Sequence, residues 1–255
     1  MNPLLAFALA VIVATTPPVS GRSLRPAFAA EDVLAKSRAA YAALTSYADS
    51  GTVLDERGGF TDRSTFRTLF TRDPHQLLLE FRALASEYPT IRVPLNSHVV
   101  LWMENGALQA WSSSTQEHET YTAESGQQVN ALKHRAAVTY GISVVIPSHL
   151  YDKSGLASAV QATEEAEADG FETVNGRRCF RILGVERWRY PNGQVTGVRP
   201  ITLWLDAETY LIHKIVQDTP KGMPRGSLSR MTTTIKHRVN PDLKPAQFRF
   251  AVPAS

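Results

Sequence analysis

Apolar and polar positions alternate along most of this chain, and the period of the alternation divides it into a helix followed by many strands. From Glu31 to Ser50, Leu34, Tyr41, Leu44 and Ala48 recur at helical spacing, with Lys36, Arg38 and Asp49 elsewhere. Glu31 and Asp32 open this stretch, where a helix dipole favours negative charge. The pattern predicts a helix. From Gly51 the period is two, which predicts strands over 52–56, 64–71, 77–82, 99–104 and 107–112, then over 171–174, 178–186, 201–206, 210–217 and 227–239. A short closing strand is expected at Phe248-Arg249-Phe250-Ala251-Val252-Pro253. Asn105-Gly106, Asn175-Gly176 and Asn192-Gly193 lie between such runs. Asn-Gly readily adopts the two positive φ values of a tight I′ turn, so these pairs predict antiparallel hairpins. Their uneven spacing argues against a repeat architecture.

Three stretches break the strand pattern. Val129, Leu132, Ala136 and Tyr140 carry helical spacing within 126–140, and Pro147 opens a short helical candidate ending at Tyr151. Residues 157–169 are ambiguous, being poor in strand formers and rich in Ala and Glu. The acidic group Glu164, Glu165, Glu167 and Asp169 lacks the alternating ligands of a calcium loop and reads as a solvated helix face.

The first 30 residues read as a signal peptide. Leu4 to Ala14 is an unbroken apolar run of 11 residues, too short to span a bilayer as a helix. Pro17 and Pro18 end it, and Ala27-Phe28-Ala29 offers small residues where a signal peptidase reads. Cleavage after Ala29 or Ala30 leaves residues 31–255 as a single domain, with no later run long enough to cross a membrane. The expected address is the periplasm. The net charge of +3 falls to +1 because Arg22 and Arg25 leave with the leader, which argues against nucleic acid as a partner.

Candidate chemistry is sparse. The seven histidines show no His-x-His or His-Glu-x-x-His spacing. Glu117-His118-Glu119 clusters only locally and reads as an exposed loop. Cys179, the sole cysteine, falls in the strand pattern Cys179-Phe180-Arg181-Ile182, where packing is the better reading than nucleophilic attack. No metal or cofactor is called for, and the chain does not read as an enzyme. The informative residues are apolar: Leu77, Leu79 and Phe81 share one strand face, Leu101 and Met103 another, and Ile201, Leu203 and Leu205 a third. A sheet curled around such faces either fills its interior with side chains or leaves room for an apolar ligand.

Several segments resemble the LolA-like outer-membrane lipoprotein carriers, most nearly their predicted periplasmic relatives. These are the N-terminal helix, Phe70-Thr71-Arg72-Asp73-Pro74, Leu101-Trp102-Met103-Glu104-Asn105-Gly106-Ala107-Leu108, Val174-Asn175-Gly176-Arg177-Arg178-Cys179-Phe180, Leu203-Trp204-Leu205-Asp206-Ala207-Glu208-Thr209 and Phe248-Arg249-Phe250. The resemblance spans essentially the whole mature chain. It implies an α+β, mainly antiparallel fold: an unclosed, strongly curved half-barrel covered by a helical lid, here residues 126–151. It also implies a cavity for a lipid or for the acyl chains of a lipid-anchored protein, with Leu77, Leu79, Phe81, Leu101, Met103 and Leu203 as its wall. Arg72 would tether the lid, although Asp73 separates it from Pro74 where the family has arginine directly before proline. The alternative is a signalling or assembly module that binds a membrane-protein segment through Arg187, Arg189, Lys236 and Arg238. An envelope hydrolase is a third reading, and it requires convergent titratable groups inside the cavity.

Overall fold

The structure, a computed structural model, describes residues 28–87, 97–104, 106–121, 163–189, 195–219 and 229–253. One helix, α1 (Ala30–Ala42), precedes β1 (Ser46–Arg57), β2 (Phe60–Arg72), β3 (His75–Ser86), β4 (His98–Glu104), β5 (Ala107–Ser112) and β6 (His118–Tyr121). The second half supplies β7 (Thr163–Val174), β8 (Arg177–Arg189), β9 (Val195–Asp206), β10 (Ile212–Asp218) and β11 (Ser229–Val239), followed by a 3-10 turn, Pro245–Phe248. The strands form one sheet of eleven in the order β6-β5-β4-β3-β2-β1-β11-β10-β9-β8-β7. Every pairing in it is antiparallel. It is two meanders joined where the first strand meets the last, and it does not close, since β6 and β7 remain its two edges.

The sheet is curved. A single apolar cluster joins Leu108 on β5, Leu101 on β4, Leu77, Leu79 and Phe81 on β3, Ile182 on β8, Leu203 on β9 and Val33, Leu34 and Tyr41 on α1. Strands β5 and β8 are eight places apart, roughly 38 Å in a flat sheet at about 4.8 Å per strand. A 13-residue helix is only about 20 Å long. The curved sheet gathers these residues and α1 into one core. This is the unclosed half-barrel that the sequence resemblance implied. The helix on its concave face is α1; the lid expected at residues 126–151 lies outside the described residues, as does Asn192-Gly193.

Period two is visible in β1, where Tyr47 and Val53 join the concave core while Ala48 joins a second cluster on the convex face. That second cluster contains Leu69, Leu78, Val100, Trp102 and Trp111, covered by Phe248, Leu243 and Phe250 of the C-terminal segment. The closing strand expected at 248–253 does not form. Phe250 instead lies across the rings of Trp102 and Trp111, at centroid distances of 5.1 and 5.4 Å, and this packing takes the place of strand pairing.

Three further expectations change. The helix stops at Ala42 rather than Ser50, because tertiary partners capture the groups that would continue it. Asn240 Oδ1 accepts hydrogen bonds from Thr45 N and Oγ1 and from Ser46 N, and Arg72 N–H donates to Thr45 O. The acidic stretch from Glu164 to Asp169 is strand, not helix. Ala166 and Ala168 pack on the concave core, and Glu164, Glu165 and Asp169 pair with Arg187 and Arg181 of β8. A charged edge strand of this kind also resists pairing with other chains. His118 and Glu119 sit on edge strand β6 rather than in a loop; the His118 ring stacks on Trp102 and its Nε2 lies 2.9 Å from Gln109 Oε1.

The turn chemistry follows the sequence. Asn175 and Gly176 have φ of 52° and 77°, the left-handed pair that a I′ hairpin requires. Gly51 has a different reason: a Cβ there would lie 2.3 Å from both the Phe66 ring and the Thr234 carbonyl oxygen. Gly51→Ala is expected to destabilise the fold by about 2 kcal/mol or more, measured by urea denaturation, because the backbone oxygen cannot move aside without disturbing the β1–β11 ladder.

Candidate functional site

The concave face carries the most extensive apolar cluster among the described residues. Of the residues singled out from the sequence, Leu77, Leu79, Phe81, Leu101 and Leu203 are fully buried there, and Met103 packs against them while partly exposed. All belong to one core with α1, which contributes Val33, Leu34 and Tyr41. Arg72 does a different job. Its Nε donates to Leu44 O at 2.9 Å and an Nη to Tyr41 O at 3.4 Å. A guanidinium at the carboxyl end of a helix satisfies open carbonyls and complements the helix dipole. Arg72 therefore fastens the end of α1 to the sheet.

Tyr41 fastens the same turn from inside. Its hydroxyl accepts a hydrogen bond from Ile212 N at 3.1 Å, a backbone donor next to the β-bulge of β10. Beside it, Tyr47 donates to Asp49 Oδ2 at 2.9 Å. Asp49 stands opposite His237 in the β1–β11 register and opposite Thr68 in the β1–β2 register. The His237 ring lies 4.5 Å from that of His213, whose Nε2 contacts Asp206 Oδ2 at 3.1 Å. Arg177 closes the series by donating to Asp206 at 2.8 Å and reaching Glu208. A polar seam thus runs from under α1 to the protein surface.

Burial sets the protonation of this seam. It raises Asp49 from 3.8 to about 6, against hydrogen bonds from Thr68 and Tyr47. It lowers His237 from 6.5 to about 4, helped by the neighbouring His213. Burial also pushes both tyrosine hydroxyls up. Asp206 is partly desolvated too, but the hydrogen bonds from Arg177, Thr209 N and Glu208 N hold it well below the usual carboxylate range. Cys179 packs with Val174 and Trp204, and burial pushes its thiol up to about 11, so it is a packing residue rather than a nucleophile.

Titratable groups do meet here, His213 with Asp206 and with His237. The two ring nitrogens of His213 lie 3.1 Å from Asp206 Oδ2 and 3.3 Å from Ile235 O. Two buried polar atoms have no hydrogen-bond partner among the described residues: Ser37 Oγ on α1 and Thr233 Oγ1 on β11. The join between helix and sheet therefore mixes apolar packing with unmet polar groups. Sequence reading missed this seam because its members lie on α1, β1, β2, β8, β9, β10 and β11 and form no local motif.

No family model matches the chain, and no characterised protein matches it by sequence. Among solved structures it is similar to LprF from Mycobacterium bovis, at 12% identity and a TM-score of 0.48 over 84% of this chain and 94% of that one. It is similar to a chain of the Pseudomonas aeruginosa MucA/MucB complex at 18% identity and a TM-score of 0.45, covering 87% of this chain and 61% of that one. A LolA superfamily protein from Nitrosomonas europaea aligns at 10% identity and a TM-score of 0.35, over 88% and 99% of the two chains. The strand order, not these likenesses, defines the fold.

The two shifted groups under α1 oppose one another in acid. Between about pH 6 and 4 the folded protein holds a proton on Asp49 that the unfolded chain has released, so this group adds stability as pH falls. The unfolded chain gains a proton on His237 near 6.5 that the folded protein refuses until about 4, so that group removes stability over the same interval. Relative to the parent protein, Asp49→Asn is expected to lose stability on acidification from pH 6.5 to 4.5. His237→Gln is expected to gain it. Each slope approaches but does not exceed about 1.4 kcal/mol per pH unit, read by urea denaturation at each pH.

Proposed function

We propose that this protein is an exported carrier that holds a lipid, or the acyl chains of a lipid-anchored protein, against the concave face of its sheet. The observation that carries this reading is the arrangement of that face among the described residues: a broad, continuous apolar surface in an unclosed sheet, with the short helix α1 packed on it and pinned at its carboxyl end. In the carrier cycle α1 yields and the cargo takes its place. Leu77, Leu79, Phe81, Leu101, Met103 and Leu203 then line the acyl chain, and Arg72 holds α1 in the closed position.

Magnitudes favour such an exchange. Burying Val33, Leu34 and Tyr41 is worth roughly 5–9 kcal/mol at about 1.5–3 kcal/mol per large side chain. An acyl chain recovers roughly 0.8 kcal/mol per methylene, so on the order of six to eleven methylenes balance the helix. A common fatty chain is long enough to displace α1, and the returning helix is competitive enough to release it. A rigid pocket that swallowed the whole chain would bind it too tightly to hand on. The apolar run of residues 4–14, followed by Pro17-Pro18 and Ala27-Phe28-Ala29, favours export and with it the periplasmic reading.

Native mass spectrometry on gently purified protein is expected to reveal co-purified lipid, or stoichiometric uptake of a fluorescent fatty acid by lipid-free protein. Protein that carries no lipid and takes up none sinks the reading. Arg72→Ala removes the charged hydrogen bonds at the end of α1 and is expected to lower stability by about 2 kcal/mol while speeding fatty-acid uptake. An unchanged uptake rate in a folded variant means that α1 is not the gate.

A further inference from the structure

The convex side of the sheet, away from the proposed cargo face, carries a groove of about 550 Å³ over β2, β1 and β11, bordered by Gln247 of the C-terminal turn. Strand register explains its shape and charge. Ser50 stands opposite Arg67 on one side and opposite Lys236 on the other, and the adjacent row of the same face places Ala48 opposite Arg238. Two small residues on β1 thus lie between long cationic side chains, which leaves a trough walled by positive charge. Arg67, Lys236 and Arg238 are all exposed.

The charges in this trough are unequal in what they meet. Arg67 is bound to Glu80 at 2.6 Å. Lys236 and Arg238 have no carboxylate partner among the described residues. Elsewhere the sheet pairs several of its arginines with carboxylates: Arg177 with Asp206 and Glu208, Arg187 with Glu164 and Glu165, and Arg230 with Asp218. Asp49 also borders the groove, but its carboxyl is buried and receives the Tyr47 hydroxyl. Gln247 already spends its Oε1 on Lys244 N–H, so its amide nitrogen is what remains to offer a ligand.

We infer that this groove binds a phosphate group carried on a larger organic molecule. The available groups are donors: an ammonium, guanidinium N–H groups, the Ser50 hydroxyl and the Gln247 amide. Donors without matching acceptors select an oxyanion. Two uncompensated positive charges match a phosphate monoester near neutral pH better than a single carboxylate. The volume lies in the range of small-molecule sites and far exceeds what a bare phosphate fills. The site is independent of the carrier reading, since it uses the opposite face of the sheet.

Calorimetric titration of the full mature protein with glycerol 3-phosphate, with inorganic phosphate and with vesicles containing phosphatidic acid tests this. Glycerol 3-phosphate is expected to bind more tightly than inorganic phosphate, and to weaken as salt rises from 50 to 200 mM. Binding to the vesicles alone, abolished by the same variants, supports a lipid headgroup as the source of the phosphate. Lys236→Gln and Arg238→Gln are each expected to reduce affinity about tenfold, and Lys236→Glu combined with Arg238→Glu to abolish it. Unchanged circular dichroism and unchanged fatty-acid uptake in these variants separate this site from the concave face. Absence of binding to all three ligands, or binding that survives the double charge reversal, overturns the inference.

Discussion

Pairing of β1 with β11 is the constraint on which the rest of the molecule depends. Eleven consecutive register positions, from Tyr47 opposite Val239 to Arg57 opposite Ser229, join the beginning of the domain to its end. Each half of the sheet is otherwise a local meander whose hairpins form from neighbouring sequence. Only this ladder makes them one surface. Gly51 is needed there because Phe66 and the Thr234 carbonyl close over it. Asn240, at a φ of 45°, ends β11 and at the same time captures Thr45 and Ser46, which fixes where the helix stops and the first strand starts.

From that ladder follow two faces with different chemistry. The concave face is apolar and continuous, and α1 sits on it through Val33, Leu34 and Tyr41. The convex face divides into an aromatic region sealed by Phe248 and Phe250 and a cationic trough along β2, β1 and β11. The helix is held by apolar contact and two pinning interactions at its carboxyl end, and it buries one unpaired hydroxyl, Ser37 Oγ. Buried polar groups without partners weaken an interface. An element attached in this way is suited to being displaced by a competitor of similar apolar area.

Much of the fold was legible because hairpin chemistry is local. The strand pattern, the Asn175-Gly176 turn and the apolar faces of β3, β4 and β9 follow from residues that are neighbours in sequence. What escaped reading was decided by distant partners. Helical spacing through Leu44 and Ala48 was real, but Asn240 and Arg72 capture the chain at Leu44–Ser46. The stretch around Glu164 looked helical by composition, yet its alternation of Ala and acidic residues is also a period of two, and the arginines of β8 decide in favour of strand. The wall residues of the concave face were visible as a set. Their gathering into one core with α1, and the seam linking Tyr41, Asp49, His237, His213 and Asp206, required the strand order, which no local motif encodes.

The central claim is that α1 and an acyl chain compete for one apolar face. Amide hydrogen exchange with and without a bound fatty acid reads that competition directly. Exchange across residues 30–42 should accelerate when the fatty acid is present, while β1 and β11 keep their protection. If those helix amides exchange at the same rate in both states, or become better protected, the acyl chain binds somewhere other than beneath the helix.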